Sequence, residues 1–182
     1  WLAEFADGHQ LTTRLICALI AHFRSELTVT ERLQKAGVKQ LQTPVLKEHS
    51  RATSLSKCLV VSYGLSSPVQ KSLLCYISSH PSGCWSNFAK KAKGVTDFEE
   101  DLAFLRSLFL VQASRPYSTA LRLSMLHPVR RFVQEQFELD DAAAFLKTRM
   151  DVSESLMVQS AVIYHNHLNA GDVEYGILRT VY

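Results

Sequence analysis

Residues 121–133, LRLSMLHPVRRFV, predict a strand that runs directly into a helix. Leu121 and Leu123 alternate with polar residues, which is the pattern of a strand with one buried face. After Pro128 the apolar residues recur at helical spacing, and proline is favoured at the first helical position because its missing N–H would have no intrahelical partner there. His127 therefore lies at a helix N-terminus, where free N–H groups and partial positive charge suit a phosphate. The alternative for a lone histidine is a role in capping or packing.

The segments before this stretch predict a winged helix-turn-helix. Residues 55–109 contain four short helical patterns of apolar residues, separated by glycine, proline and polar residues. Two β-prone runs follow at residues 109–112 and 120–125, with the loop SRPYS at 114–118 between them. Helices followed by a β-hairpin are the element order of a winged helix, in which the hairpin is the wing.

The whole chain is expected to be mainly α-helical and to divide into three parts. These are a small helical subdomain at residues 1–50, a winged-helix domain with one β-hairpin at residues 51–137, and a helical linker with the start of helical repeats at residues 138–182. The tail is interpreted as a helix over residues 140–150 and a helical pair over residues 156–182, broken at residues 169–172. A tetratricopeptide-like pair and a generic helical hairpin both stay open for this tail.

Local signals also predict where the helices of the first part begin and end. Thr28 followed by Glu31 resembles a capping box, and Gly37 is the expected helix end. Residues 39–50 contain a proline and show no clear period, so we expect a linker there.

The composition fits a globular protein with reduced cysteines. The chain has 182 residues, enough for one domain or two small ones. None of its four cysteines forms a C-x-x-C pair or a metal-ligand spacing with histidine, which predicts free thiols, no bound metal and a reducing, cytoplasmic compartment. No apolar run approaches the ~20 residues that a membrane span needs. Since the chain opens on Trp1 without a methionine, we expect it to be part of a longer protein.

Basic residues concentrate in the middle of the chain. The net charge is +3, but residues 55–135 hold ten Lys and Arg against five Asp and Glu, so the excess lies in the predicted winged helix. Lys90, Lys91 and Lys93 fall near its third helix, where DNA-binding winged helices read the major groove. Few charges cluster and no aromatic residues interleave with them, so we expect a solvated basic face or one that meets an acidic partner domain. DNA binding stays the main rival function.

Four local strings, in this order, resemble the STAND signalling ATPases, the NB-ARC and NLR-like class, in the region C-terminal to their P-loop domain. The strings are GHQL at residues 8–11, LVVSYGL at 59–65 followed by HPSG at 80–83, LAFLRSLFL at 102–110, and LHPV at 126–129. The resemblance implies that Gly8 and Gln10 open a helix beside the adenine, and that His127 meets the β-phosphate of ADP. Gln10 replaces the proline of the family motif, and Pro128 replaces its aspartate.

The function implied by this resemblance is regulatory. The chain would pack against a P-loop nucleotide-binding domain of the same polypeptide and couple nucleotide state to C-terminal repeats, homo-oligomer formation or signalling. No G-x-x-x-x-G-K phosphate loop occurs in the sequence, so we expect no catalytic residues and no ATP hydrolysis here, and ADP or ATP binding only in the full-length protein. We expect no membrane and no nucleic-acid partner. A DNA-binding winged-helix regulator and a non-enzymatic helical interaction module are the alternatives.

Overall fold

A computed structural model describes residues 1–40, 51–93, 97–117 and 120–170. This part of the chain is mainly α-helical with a small antiparallel sheet of three strands, which confirms the predicted fold class. In chain order the elements are α1 (Leu2–Ala6), α2 (Gln10–Phe23), α3 (Glu26–Gln40), α4 (Arg51–Gly64), α5 (Pro68–Ser78), β1 (Cys84–Trp85), α6 (Ser86–Lys93), α7 (Phe98–Ser107), β2 (Gln112–Tyr117), β3 (Ala120–Ser124), α8 (His127–Asp140) and α9 (Ala142–Ala170). None of the described helices is long and apolar enough to cross a membrane.

The chain folds into two compact units that alternate along the sequence. The first unit holds Trp1–Lys71 and Asp97–Gln112, and the second holds Ser72–Thr96 and Ala113–Tyr182. Helix α5 contributes residues to both units. The predicted domain boundaries after residues 50 and 137 stay predictions.

The first unit is a cluster of amphipathic helices. Helices α2, α3 and α4 pack against one another. Among the fully buried side chains of this unit are Leu15 and Leu19 on α2, Val29 and Leu33 on α3, and Leu105 on α7. The i, i+4 spacing within α2 and within α3 places each pair on one face of its helix, which is the stripe that a surface helix turns towards a core.

Helix α3 begins and ends at different residues from those that the sequence predicted. The residue that caps it is Ser25, whose Oγ accepts a hydrogen bond from the Thr28 N–H at 3.2 Å. The predicted cap at Thr28 is therefore wrong by three residues, since Thr28 already lies inside the first turn. The helix also continues past Gly37, because a single glycine weakens a helix without ending it. The predicted linker lies largely outside the described residues.

The end of α7 explains why the predicted strand at residues 109–112 is misplaced. Phe109 takes a left-handed conformation with φ 56°. Its N–H donates to the Arg106 carbonyl at 3.0 Å, and the Leu110 N–H donates to the Leu105 carbonyl at 3.1 Å. These two bonds form a Schellman motif, which closes the helix and delays the strand. Strand β2 accordingly begins at Gln112 and extends through most of the predicted hairpin loop.

The second unit is built on the three-stranded sheet, in the order β1-β3-β2. Strand β1 pairs antiparallel with β3, with Cys84 opposite Leu123 and Trp85 opposite Arg122. Leu123 is fully buried, as the alternation of its strand predicted. Helix α8 follows directly and buries one face, formed by Val129, Phe132, Val133 and Phe137.

Helix α9 corrects the prediction of one helix over residues 140–150 and a separate helix beginning at residue 156. It runs without interruption from Ala142 to Ala170, because residues 151–155 contain neither proline nor glycine to break it. Its start is capped by Asp141, whose Oδ1 accepts a hydrogen bond from the Ala144 N–H at 2.9 Å. Phe145 anchors it in a buried cluster with Cys75 and Phe137. The chain beyond residue 170, where the predicted break and second helix of the pair continue, lies outside the described residues.

Candidate functional site

His127 is the first residue of α8, as the strand–proline pattern predicted, and its side chain is exposed. The residue at the cap position is Leu126, which provides no side-chain hydrogen bond to the first turn. Pro128 follows inside that turn and has no N–H to satisfy. His127 is thus neither packed in the core nor the cap of its helix. The position combines an exposed imidazole with the positive end of a helix dipole.

The contact with Arg130 determines which nitrogen of a neutral His127 ring carries the proton. Its Nη2 lies 3.3 Å from Nδ1 of His127, and its Nη1 donates to the Pro81 carbonyl at 2.9 Å. A guanidinium can only donate, so Nδ1 accepts and the neutral imidazole carries its proton on Nε2. The site therefore presents an Nε2–H donor beside a cation, which is an arrangement suited to an anionic oxygen.

The loop of residues 80–83 contacts Arg130 beside His127, and its backbone carbonyls accept hydrogen bonds from side chains of α8 and β3. Arg122 donates from Nε and Nη2 to the Ser82 carbonyl, at 3.1 and 2.6 Å. Gln134 on α8 donates to the Ser78 carbonyl at 2.8 Å, just before the loop. Together with the Arg130 bond, these contacts tie the loop to both β3 and α8. Side chains from two elements therefore fix the surroundings of the α8 N-terminus.

Gly83 allows this loop to pass close to the sheet. Its φ is +86°, and a Cβ built at this position would lie 2.5 Å from the Leu123 carbonyl oxygen. That distance is shorter than any real contact of a Cβ, and the atom it meets belongs to the backbone of the central strand. Only glycine fits both the backbone conformation and the space.

The sequence did not predict that His80, the first residue of the loop, is buried. It is 4% exposed, and its Nδ1 donates to the Tyr76 carbonyl at 2.9 Å. Its Nε2 meets no hydrogen-bond partner among the described residues. Burial lowers the pKa of His80, and the bond to the Tyr76 carbonyl opposes part of that shift. Nothing local in the HPSG string, which predicted a helix break, indicates that the histidine turns inward.

Gly8 and Gln10, the other two predicted nucleotide-binding residues, lie in the first unit. Gly8 has φ +66° and connects α1 to α2, and Gln10 is the exposed first residue of α2. The cap between them is His9, a residue that the motif did not single out. Its Nδ1 accepts a hydrogen bond from the Thr12 N–H at 3.3 Å. The structure thus brings Gly8 and Gln10 together at one helix N-terminus, while His127 belongs to the second unit.

The lysines considered for DNA binding lie on α6. Lys90 is exposed, and the side chains of Lys91 and Lys93 lie outside the described part of the chain. The helix that follows, α7, begins with the acidic residues Glu99 and Glu100, which are exposed. A negative first turn repels a phosphate backbone, so α7 is poorly suited to enter a DNA groove.

The cysteines are free thiols, as their spacing predicted. Burial raises the pKa of Cys58 and of Cys84 to about 12 in each case, so both are neutral thiols at physiological pH. Cys17 is exposed. Within the described residues, no group of three or more His, Cys, Asp or Glu side chains is placed to hold a metal ion.

In comparisons with protein-family models, curated proteins and solved structures, nothing matches the chain.

Proposed function

We propose that this chain is the regulatory part of a STAND-type signalling ATPase. It has no P-loop sequence, so its role is to pack against a separate nucleotide-binding domain of the same polypeptide and to couple the nucleotide state to signalling or to oligomer formation. In this proposal ADP or ATP binds only in the longer protein. A reducing compartment such as the cytoplasm belongs to the proposal, because all four cysteines are free thiols.

The observation that carries the proposal is the exposure of His127 at the start of α8. A histidine with a packing role would be buried, whereas this one is exposed, and its Nδ1 accepts from the guanidinium of Arg130, which leaves Nε2–H as the donor of the neutral ring. Such a donor recognises an anion that another domain holds, and the β-phosphate of ADP is the anion that the resemblance implies. Gly8 and Gln10 support the proposal less directly, through their shared position at the N-terminus of α2.

The experiment is a measurement of ADP affinity in a polypeptide in which a P-loop domain precedes this chain. His127→Ala should weaken ADP binding about 10- to 100-fold, because a hydrogen bond to a charged group contributes roughly 1.5–3 kcal/mol. Glu138→Ala, at an exposed position farther along α8, is the matched control and should leave the affinity unchanged. The chain by itself should show no ADP binding, since the P-loop domain holds most of the nucleotide in this proposal.

The rival function is tested on the chain itself. A DNA-binding winged helix would bind duplex DNA with an affinity that falls steeply as salt rises, and replacing Lys90, Lys91 and Lys93 by alanine would flatten that dependence. Sub-micromolar binding to duplex DNA near physiological salt would replace the regulatory proposal by the DNA-binding one.

A further inference from the structure

Helix α9 carries apolar side chains on two opposite sides. Phe145, Thr148 and Val152 are buried and form the face that packs within the second unit. A second row, which we call the α9 stripe, comprises Ala143, Leu146, Met150, Ser153 and Met157, all of them exposed. Because an α-helix turns about 100° per residue, this row lies nearly opposite the buried face.

The three large apolar side chains of the α9 stripe are mostly exposed. Leu146 is 61% exposed, Met150 73% and Met157 70%. The spacing of the stripe alternates between three and four residues, which is the a/d pattern of a coiled-coil seam. A helix with apolar residues on two sides is expected to be covered on both. The described residues of this chain cover only one of them.

The charges beside the stripe indicate what covers it. Arg149 lies just before the a position Met150, and Glu154 lies just after the d position Ser153. In a parallel coiled coil, the residue before an a position faces the residue five places later on the other helix, and such pairs set partner choice and orientation. Arg149 of one copy would therefore face Glu154 of the other, and the twofold symmetry would make this pair twice.

An antiparallel pairing of two copies fits less well. The antiparallel alignment that places Lys147 opposite Glu154 of the second copy leaves Arg149 without a charged residue opposite it. The same alignment packs the hydroxyl of Ser153 against Met150, whereas the parallel alignment places Ser153 opposite Ser153. A polar residue in a coiled-coil seam helps to specify the register, which favours the parallel arrangement.

We propose that the α9 stripe is a self-association surface, on which α9 of a second copy of this chain pairs in parallel and in register. The inference does not depend on nucleotide binding, because none of the stripe residues belongs to the α8 N-terminus. Among the α9 residues whose side chains the structure describes, only three large apolar ones line the seam, so the association is weak, with a dissociation constant on the order of 100 µM.

The test is sedimentation equilibrium of the full 182-residue chain. Over about 10 µM to 1 mM, tenfold either side of the expected constant, the average mass should rise from one chain towards two. Leu146→Glu should raise the dissociation constant at least about a hundredfold, because two leucines lose their burial, and should leave a monomer throughout. Leu27→Glu, on α3 of the first unit, replaces a leucine that is 70% exposed and should change nothing.

A charge exchange tests the parallel orientation separately. Arg149→Glu should weaken the dimer about fivefold, because two attractive pairs become two repulsive ones. Adding Glu154→Arg to that variant should restore the original constant within about twofold, since the pair is re-formed with its charges exchanged. Circular dichroism confirms that each variant stays helical.

Three outcomes would overturn the proposal. A wild-type chain that remains monomeric over the whole concentration range would show that the stripe is not a self-association surface. A dimer that survives Leu146→Glu would use a different surface. A dimer that Leu146→Glu abolishes, but that the charge exchange does not restore, would not be the parallel pair.

Discussion

Replacing Gly83 by alanine should destabilise the second unit by about 2–5 kcal/mol. A left-handed conformation costs a residue with a Cβ roughly 1–2 kcal/mol, and Gly83 has φ +86°. The new methyl group would also lie 2.5 Å from the Leu123 carbonyl oxygen, and overpacking of this kind typically costs ~1–3 kcal/mol. The strand cannot yield freely, because Leu123 is paired with Cys84.

The assay is urea unfolding followed by the fluorescence of Trp85, which lies in β1 two residues after Gly83. A Trp1→Phe background removes the other tryptophan, so the signal reports on the second unit alone. Gly64→Ala is the matched control, because Gly64 ends α4 without a positive φ and with no described atom within 4 Å of the added Cβ. The control should be neutral or stabilising by up to about 1 kcal/mol. If Gly83→Ala shifts the free energy of unfolding by less than about 0.5 kcal/mol, the close approach of loop and strand is wrong.

Three further predictions concern stability and reactivity. Burial lowers the pKa of His80 below its ordinary value of 6.5. The stability contributed by its neutral form is therefore complete above about pH 6.5 and is lost as the pH falls towards the lowered pKa. His80→Asn should make the urea midpoint of unfolding less dependent on pH over this range. Cys17 alone should react with a thiol reagent in the folded chain, and labelling of the three buried cysteines before unfolding would contradict the described core. Arg24→Gly should raise the unfolding free energy by up to about 1 kcal/mol, because Arg24 ends α2 with φ 53°, whereas Arg14→Gly inside the same helix should lower it by about as much.

The junction around His127 could be predicted from the sequence because its signals are local. The alternation of apolar and polar residues shows which face of β3 is buried. Pro128 favours the start of α8 because its ring fixes φ at a helical value and its missing N–H is not needed there. The start of β2 could not be predicted in this way. Phe109 occupies the left-handed position that glycine normally marks, so the sequence gives no sign that the helix closes there.

The sequence could not predict strand β1 or the burial of His80, because both depend on contacts with residues that are distant along the chain. The two residues of β1 show no alternation of their own, and their pairing with β3 depends on the close passage made possible by Gly83. His80 follows a helix end in a string that resembles an ordinary loop, and its burial is decided by the packing of the second unit. The buried face of α9 could not be identified from the sequence either. Apolar residues on two opposite sides of a helix cancel the periodicity by which one buried face is recognised.

The proposed contact between His127 and the β-phosphate is tested most directly by comparing ADP with AMP. Affinities of both nucleotides are measured in a polypeptide in which a P-loop domain precedes this chain, with wild-type His127 and with His127→Ala. The account predicts that the substitution weakens ADP binding about 10- to 100-fold and leaves AMP binding within about twofold, because AMP has no β-phosphate. Equal losses for both nucleotides, or an unchanged ADP affinity together with a lower melting temperature without nucleotide, would contradict the account.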